Sequence, residues 1–239
     1  MLVMDLKVNC LKGHMVAHRG IYGNRVVENT LDAFSLALSQ EVPIELDLRI
    51  LHDGNIVVFH DDNLKRLLGI DRDIFSYDYS ELKKLRFPDT DAYIPLFQEV
   101  LDLVQGKVFL VIEIKRVKEV HYSNYLSSIV SILKKYSHNF VIQAFDIRIV
   151  HWFLKNTDYI VGLLIANRKN SFYDWIMRRQ VIISILKPDF ISVDYSIANT
   201  KVVQWFRKKG PVLLWTIKTR EILDDVERFG DSYVVENLF

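Results

Sequence analysis

Two pairs of charged residues stand two positions apart inside apolar runs of the sequence. Glu45 and Asp47 lie within the run 44–50, and Glu113 and Lys115 lie in a second run of the same kind. In a β-strand, residues i and i+2 leave the same face, so each pair projects together while its apolar neighbours cover the other face. Three carboxylates brought close together repel each other unless a cation lies among them. Oxygen ligands without cysteine favour Mg²⁺, Ca²⁺ or Mn²⁺, and a network of salt bridges is the alternative.

Two histidines and an arginine accompany these pairs. His18 and Arg19 follow the first apolar run, and His60 follows a later one. Histidine suits proton transfer because its pKa lies close to neutrality. Arg19 and Lys115 would neutralise the oxygens of a phosphate diester, whereas a histidine pair without these cations would serve a carbonyl substrate equally well. The inventory therefore predicts phosphodiester cleavage, in which one imidazole withdraws a proton from the nucleophile and the other protonates the leaving alkoxide.

The segment from Glu45 to Asp62 has the pattern of a β-hairpin. If Asp53 and Gly54 form a two-residue turn, opposed positions sum to 107, and His60 faces Asp47 across the ladder. Directly opposed residues have Cβ atoms about 5 Å apart. A three-residue loop would shift the register by one residue and turn His60 away.

The elements that must position these residues are alternating strands and helices. The predicted strands are 15–17, 44–50, 108–114, 140–144, 160–164, 190–193, 212–215 and 233–235. The predicted helices are 29–40, 96–104, 123–136, 146–154, 172–186, 199–209 and 220–229, several of them with an N-cap such as Thr30 or Thr219. Eight such strands predict an α/β fold of the TIM (β/α)8-barrel type, in which functional side chains lie at the carboxyl ends of the strands. An open doubly wound sheet is the alternative.

Two features depart from a simple barrel. Residues 51–94 hold a hairpin arm and a small insertion after the second strand. The chain stops four residues after the last predicted strand, so the last helix is expected to be missing or replaced by residues 1–12. No linker or repeat interrupts residues 1–239, which predicts a single domain.

Composition bounds the class of partner. Half of the 239 residues are apolar and the net charge is +1, so no polyanion-binding surface is expected and nucleic acid is excluded as a partner. The single cysteine, Cys10, allows no internal disulfide. Without a signal peptide or about 20 consecutive apolar residues, the sequence predicts a soluble, cytoplasmic protein without stable membrane insertion. The oligomeric state is left open.

Several motifs together resemble those of the glycerophosphodiester phosphodiesterase family. They are AHRG (17–20), ENT (28–30), ELDLR (45–49), DGNIVVFHDD (53–62), IPLFQEVL (94–101), IEIK (112–115) and LLWTIKT (213–219). The resemblance implies a TIM barrel with an insertion after the second strand. The implied activity is metal-dependent hydrolysis of a small glycerophosphodiester to sn-glycerol 3-phosphate and an alcohol.

The resemblance also implies a role for each matching residue. It implies that His18 and His60 form an acid/base pair and that Glu45, Asp47 and Glu113 bind the metal. It also implies that Arg19 and Lys115 contact the phosphate and that Glu28 and Asn29 support the HRG loop. Trp215 is implied as a wall for the glycerol moiety and could equally be barrel core. The expected cofactor is one divalent cation, Mg²⁺ or Ca²⁺, with Mn²⁺ possible. Asp194 and Glu236 receive no role.

Three alternatives stay open. The substrate could be a lysophospholipid or a teichoic-acid-like polymer instead of a small diester. The barrel could be catalytically inactive and act as a binding module. For a small diester, either a glycerol hydroxyl attacks phosphorus to form a cyclic phosphate or water attacks directly.

Overall fold

The structure is a computed structural model, and it describes residues 11–117, 121–136, 139–167 and 179–239. Among these described residues, those of 17–140 form one compact unit, and those of 11–16 and 141–239 form a second. The single domain over residues 1–239 stays a prediction.

The strands and helices alternate as the sequence predicts. The strands are β1 (Met15–His18), β2 (Ile44–Ile50), β3 (Ile56–Val58), β4 (Leu110–Ile114), β5 (Phe140–Ala144), β6 (Val161–Ile165), β7 (Phe190–Asp194), β8 (Val212–Ile217) and β9 (Ser232–Val235). The helices are α1 (Leu31–Ser39), α2 (Lys65–Leu68), α3 (Tyr79–Leu82), α4 (Phe97–Val104), α5 (Tyr122–Leu133), α6 (Ile147–Asn156), α7 (Gln180–Leu186), α8 (Lys201–Arg207) and α9 (Arg220–Val226). The first part of the predicted helix 172–186 and the proposed replacement segment 1–10 lie outside the described residues.

In the first unit, β2 is the central strand. The end of β1 pairs with it in parallel, with His18 opposite Glu45. On its other side β4 is also parallel, with Asp47 opposite Glu113. Every residue of β2 and β4 is buried, as expected for strands in a parallel sheet covered on both faces. The registers place the carboxyl ends of β1 and β4 beside Glu45 and Asp47 of β2, so the predicted chemical groups of the three strands lie close together.

The hairpin register predicted from the sequence is wrong. Leu48 pairs with Val58 and Ile50 with Ile56, so opposed positions sum to 106. Leu51 accepts a hydrogen bond from Gly54, whose φ of 85° is left-handed, and Leu51 donates to the Asn55 carbonyl. The loop therefore has three residues, the arrangement in which a type I turn is followed by a left-handed glycine. Its shape is also set by Asp53, which accepts from the Asn55 amide at 3.0 Å.

The insertion has a hydrophobic cluster of its own. Its buried members are Leu51, Val57, Phe59, Leu64, Ile74, Tyr77, Leu82, Phe87 and Ile94. Each large apolar side chain buried in this way stabilises the fold by about 1.5–3 kcal/mol. Phe59 belongs to this cluster, and its amide donates the last ladder bond to the Asp47 carbonyl at 2.9 Å. Beyond Phe59 the chain leaves the ladder, so period two no longer sets the direction of His60.

In the second unit, β5 to β9 form a parallel run. Gln143 pairs with Gly162, Ser192 with Leu213, and Asp194 with Trp215. Gly162 is required here because a Cβ at that position would lie 2.3 Å from the Phe190 ring. The strands of this unit match the predicted positions within two residues at each end.

Candidate active site

Three carboxylates meet on one face of the neighbouring strands β2 and β4. One oxygen from each of Glu45, Asp47 and Glu113 lies within 4.8 Å of the others, and all three residues are buried. Among the described residues this is the one group of acidic, histidine and cysteine side chains with such spacing. Their convergence follows from the strand registers, which place Asp47 beside Glu113 and leave Glu45 two residues earlier on the same face of β2.

Two cations neutralise part of this charge. The Lys115 Nζ lies 2.8 Å from Asp47 Oδ1 and 2.5 Å from Glu113 Oε1. The Arg19 Nε lies 3.3 Å from Asp47 Oδ2, while the Arg19 amide donates to Glu45 Oε2 at 3.1 Å. The Tyr125 hydroxyl of α5, fully buried, donates to the Leu48 carbonyl at 3.2 Å, next to the main chain of Lys115. Lys115 is therefore held among the carboxylates, and its predicted phosphate contact stays a prediction.

Burial and the neighbouring charges shift the pKa values of the three carboxylates in different directions. Burial raises the pKa of Glu45 well above its usual value, and the neighbouring Asp47 and Glu113 charges add to this effect. Burial likewise raises the pKa of Glu113. Burial opposes ionisation of Asp47 too, but Lys115, His60 and Arg19 outweigh it and hold the Asp47 pKa far below its ordinary range. Asp47 stays ionised, whereas burial disfavours the charges of Glu45 and Glu113. A bound cation would therefore stabilise the ionised form of all three carboxylates.

The HRG and ENT segments form one packed loop beside the triad. Arg19 and Asn29 adopt left-handed φ values of 60° and 57°, and the Asn29 amide donates to the Arg19 carbonyl at 2.9 Å. The Asn29 Nδ2 then donates to Asp47 Oδ2 at 2.8 Å. Thr30 caps α1 by accepting from the Ala33 amide at 3.3 Å, which fixes where the loop ends. Asn29 thus bonds both to the HRG loop and to the Asp47 carboxylate, and its supporting role for that loop stays a prediction.

Glu28 links two arginines. Its Oε1 accepts from Arg19 Nη1 at 2.6 Å and from Arg66 Nη2 at 2.6 Å, and its Oε2 accepts from Arg66 Nη1 at 3.0 Å. Burial works against the Glu28 charge, but hydrogen bonds and charge from both arginines lower its pKa. The Arg19 guanidinium therefore contacts Glu28 through Nη1 and Asp47 through Nε.

Contacts outside the ladder hold His60 at the site. The buried Arg49 donates through Nε to the His60 carbonyl at 2.9 Å and forms an ion pair with Asp62 at 2.5 Å. The His60 Nδ1 lies 2.6 Å from Asp61 Oδ1, and Asp61 Oδ2 accepts from Arg66 Nε at 2.6 Å. The sequence assigned no role to Asp61, Asp62, Arg49 or Arg66. A signal existed for Arg49, which continues the period-two series of Glu45 and Asp47.

The surroundings of His60 favour the neutral imidazole. Burial, followed by the charge of Lys115, lowers the pKa of His60 to about 4, although Asp47 and Asp61 oppose the shift. The Asp61 pKa is lowered, because bonds from Arg66 and His60 outweigh its burial. An ionised Asp61 can only accept, so the neutral ring carries its proton on Nδ1 and its lone pair on Nε2. His60 thus lies close enough to Asp47 and Lys115 for both charges to act on it, despite the incorrect register prediction.

The remaining predicted residues have simpler surroundings. His18 ends β1 beside Glu45 and is half-buried. Trp215 packs edge-to-face on Phe145, with ring centroids 5.7 Å apart, and its buried indole nitrogen has no hydrogen-bond partner among the described residues. Asp194 caps the turn that follows β7 by accepting from the Ser196 amide, and Glu236 accepts from Lys218. The role of Trp215 as a glycerol wall stays a prediction.

The donor set fits a divalent cation. Three buried carboxylates offer hard oxygen ligands, and the buried Asn29 Oδ1 adds an oxygen without a hydrogen-bond partner in the described part of the chain. Three carboxylates that can hold a cation, together with histidine, arginine and lysine side chains, form a set of groups suited to the hydrolysis of phosphate esters.

Comparison with known proteins identifies the family. The model of the glycerophosphoryl diester phosphodiesterase family matches residues 18–235, so the chain belongs to that family. A glycerophosphodiester phosphodiesterase of Caldanaerobacter subterraneus is 29% identical over 241 residues, which cover 94% of each chain. The enzyme class predicted from the sequence, a phosphodiesterase, is confirmed.

Two solved structures establish the fold. The glycerophosphodiester phosphodiesterase of Thermotoga maritima matches with a TM-score of 0.74 and 31% identity, over 93% of this chain and 94% of that one. A phosphodiesterase of Oleispira antarctica, solved in complex with its product sn-glycerol 3-phosphate, matches with a TM-score of 0.79 and 21% identity, over 94% and 93%. The chain has the TIM-barrel fold, as predicted. Within the described residues no helix has the length and apolar character required to cross a membrane.

Proposed function

We propose that this protein hydrolyses glycerophosphodiesters to sn-glycerol 3-phosphate and an alcohol, with the help of one divalent cation. The observation that carries the proposal is the convergence of three buried carboxylates beside Arg19, Lys115 and the His60 imidazole. The product found in the Oleispira antarctica phosphodiesterase supports the same substrate class for this chain.

Glu45, Asp47 and Glu113 would hold the cation, which is Mg²⁺ or Ca²⁺ by its all-oxygen donor set, with Mn²⁺ as a third choice. When bound, the cation supplies Lewis-acid stabilisation of the charge that develops on the phosphate oxygens. Arg19 and Lys115 add positive charge on the same side. Glu28 and Asn29 hold Arg19 and Asp47 in place, so that the phosphate meets an organised set of cations.

We assign the base role to His60. Its Nδ1 is bonded to Asp61, so Nε2 has a lone pair and can accept the proton of the nucleophile. The lowered His60 pKa keeps this nitrogen unprotonated near neutral pH. His18, at the end of the neighbouring strand, then protonates the leaving alkoxide. General acid–base catalysis of this kind contributes about 10²–10⁴-fold to a rate.

The first test is hydrolysis of glycerophosphocholine with and without EDTA. Wild type should release sn-glycerol 3-phosphate, EDTA should stop the release, and added Mg²⁺ or Ca²⁺ should restore it. His18→Ala and His60→Ala should each lower kcat by about 10²-fold or more. Both variants should still gain thermal stability from the cation, because neither change removes a carboxylate of the triad. Retained activity in either variant would refute the acid/base assignment.

The same assay separates the alternatives. Release of a head group from lysophosphatidylcholine, or of glycerol phosphate from a teichoic-acid-like polymer, would move the substrate class to those compounds. Absence of turnover on all substrates, together with ligand-dependent thermal stabilisation, would indicate a binding module. A transient cyclic phosphate seen by ³¹P NMR would show attack by a glycerol hydroxyl instead of by water. A cytoplasmic location and a partner limited to the small diester complete the proposal.

A further inference from the structure

Arg66 connects two parts of the site that are distant in sequence. It lies on α2 in the insertion, yet its three guanidinium nitrogens contact Glu28, from the ENT motif, and Asp61, from the end of the hairpin. Glu28 bonds to Arg19, and Asp61 bonds to His60. These bonds form a continuous chain of five charged or polar side chains, from Arg19 through Glu28, Arg66 and Asp61 to His60.

We infer that Arg66 is a positioning residue, which fixes the Arg19 guanidinium through Glu28 and the His60 imidazole through Asp61. The inference rests on the proposed function, since it assigns a role in the same site. In the described part of the chain, Arg66 has no hydrogen bond or ion pair with the carboxylate triad, so it acts through Glu28 and Asp61. Guanidinium suits this task because its planar fork can bind one carboxylate with two nitrogens while a third nitrogen bonds to another acid.

The geometry at His60 explains why such a residue is needed. The hairpin ladder ends at Phe59, so no strand pairing holds the imidazole. Arg49 holds the main chain of His60 through its carbonyl, but this bond leaves the ring free to rotate about the side-chain bonds. The bond from Nδ1 to Asp61 restricts the ring, and Asp61 is restrained in turn by Arg66. Loss of Arg66 would therefore loosen the ring without removing a group from the reaction.

The chain offers a matched control. Arg72 also lies in the insertion, with 45% of its side chain exposed against 46% for Arg66. It bonds to Ser76, lies 3.6 Å from Glu81 and covers the Tyr77 ring at 3.7 Å, and no described hydrogen bond or ion pair joins these three residues to the triad or to His60. Arg72→Ala removes a comparable side chain from the same insertion, and its effect measures the general cost of such a loss.

Kinetics provide the first readout. Arg66→Ala should lower kcat/KM for glycerophosphocholine about 10–100-fold, the usual cost of removing a group that orients a catalytic residue. Arg66→Gln, which keeps the aliphatic stem, should show a similar loss, and Arg66→Lys should recover little, because one ammonium cannot bridge both acids. Arg72→Ala should remain within about twofold of wild type. Equal activities for Arg66→Ala and Arg72→Ala would overturn the inference.

The second readout does not depend on turnover. With ¹⁵N-labelled histidine, the protein gives signals from seven side chains, and the His60 signals are assigned by their absence in His60→Gln. Arg66→Ala and Arg66→Gln should shift the His60 Nδ1 signal, whereas Arg72→Ala should leave it in place. An unchanged His60 signal in both Arg66 variants would also overturn the inference. If wild type hydrolyses no phosphodiester, the proposed function fails, while the His60 signal still decides whether Arg66 positions the ring.

Discussion

The two arms of the hairpin between Ile44 and Asp62 hold their functional side chains by different forces. On the first arm, Glu45 and Asp47 lie within β2, where Glu45 pairs with both β1 and β4 and Asp47 pairs with β4. On the second arm, His60 follows the last ladder bond and is held by Arg49 and by Asp61. The strand-held carboxylates depend on the core of the fold, whereas the histidine depends on a few charged contacts. Mutations on the first arm should therefore lower the free energy of unfolding. Mutations on the second arm should lower catalytic activity with little change in that free energy.

The largest effect is expected for Asp47→Ala. This change leaves the buried Lys115 with one carboxylate partner and removes the acceptor of Asn29. Breaking a buried pair in this way destabilises a protein by about 3–5 kcal/mol. Urea unfolding in EDTA should show this loss, and the cation-dependent gain in thermal stability should disappear together with activity. Asp71→Ala, which breaks the exposed Lys65–Asp71 pair, is the control and should cost less than about 1 kcal/mol.

On the second arm, Asp61→Asn should reduce kcat about 10–100-fold while leaving the free energy of unfolding within about 1 kcal/mol. The amide accepts less strongly than the carboxylate, so both His60 and Arg66 lose a charge-assisted bond. Asp62→Asn is the neighbouring control, because the exposed Asp62 contacts Arg49 and not the imidazole. If both variants had the same kcat, the imidazole would not depend on Asp61, and the contrast between the arms would lose its basis.

Two glycines with almost the same φ sharpen the comparison further. Gly54→Ala in the hairpin loop should cost about 1–2 kcal/mol from its φ of 85° alone, because no atom lies within 4 Å of the added Cβ. Activity should stay unchanged, since the loop does not hold His60. Gly20→Ala has a φ of 83° and would also place a Cβ 2.9 Å from the Ala33 main chain, which should displace Arg19 and lower activity. Thermal unfolding and kcat/KM measured on both variants test this difference.

The last prediction concerns the pH dependence of stability. The His60 pKa of about 4 lies below its ordinary value of 6.5, so between these values the unfolded chain binds more protons than the folded chain. The contribution of His60 to stability is therefore complete above about pH 6.5 and is lost as the pH falls towards 4. In EDTA, lowering the pH from about 6.5 to about 4 should lower the midpoint of thermal unfolding of wild type relative to that of His60→Gln. A constant difference between the two proteins from pH 7 to 4 would contradict the lowered pKa.

The sequence predicts the part of the site that depends on local periodicity. The alternation in residues 44–50 and 110–114 is sufficient to place Glu45, Asp47 and Glu113 on one face, and parallel pairing then brings them together. The N-cap of α1 at Thr30 is equally local and agrees with the structure. The positions of these residues follow from interactions within a few positions of the chain or from strand pairing. The hydrophobic pattern of the sequence predicts both.

The rest depends on details that patterning does not encode. The hairpin register was wrong because Asp53-Gly54 suits two loop types, and the side chain of Asp53 supports the three-residue type through its bond to Asn55. The Arg66–Glu28 contact joins residues 38 positions apart, on segments whose relative placement follows only from packing of the insertion. The sequence gives Asp61 no role, because its importance comes from its bond to Arg66 and from the orientation of His60.

The separate hydrophobic cluster of the insertion has a consequence for engineering. Because the insertion has a buried cluster of its own, the mostly exposed turn at residues 88–91, between the buried Phe87 and Ile94, is a place to exchange loops or to add binding elements. A graft there should preserve the turn of α2 that carries Arg66, since this residue joins the cluster to Glu28 and Asp61. Changes confined to that turn would leave the carboxylates on β2 and β4 in their places, because strand pairing and not the insertion sets their positions.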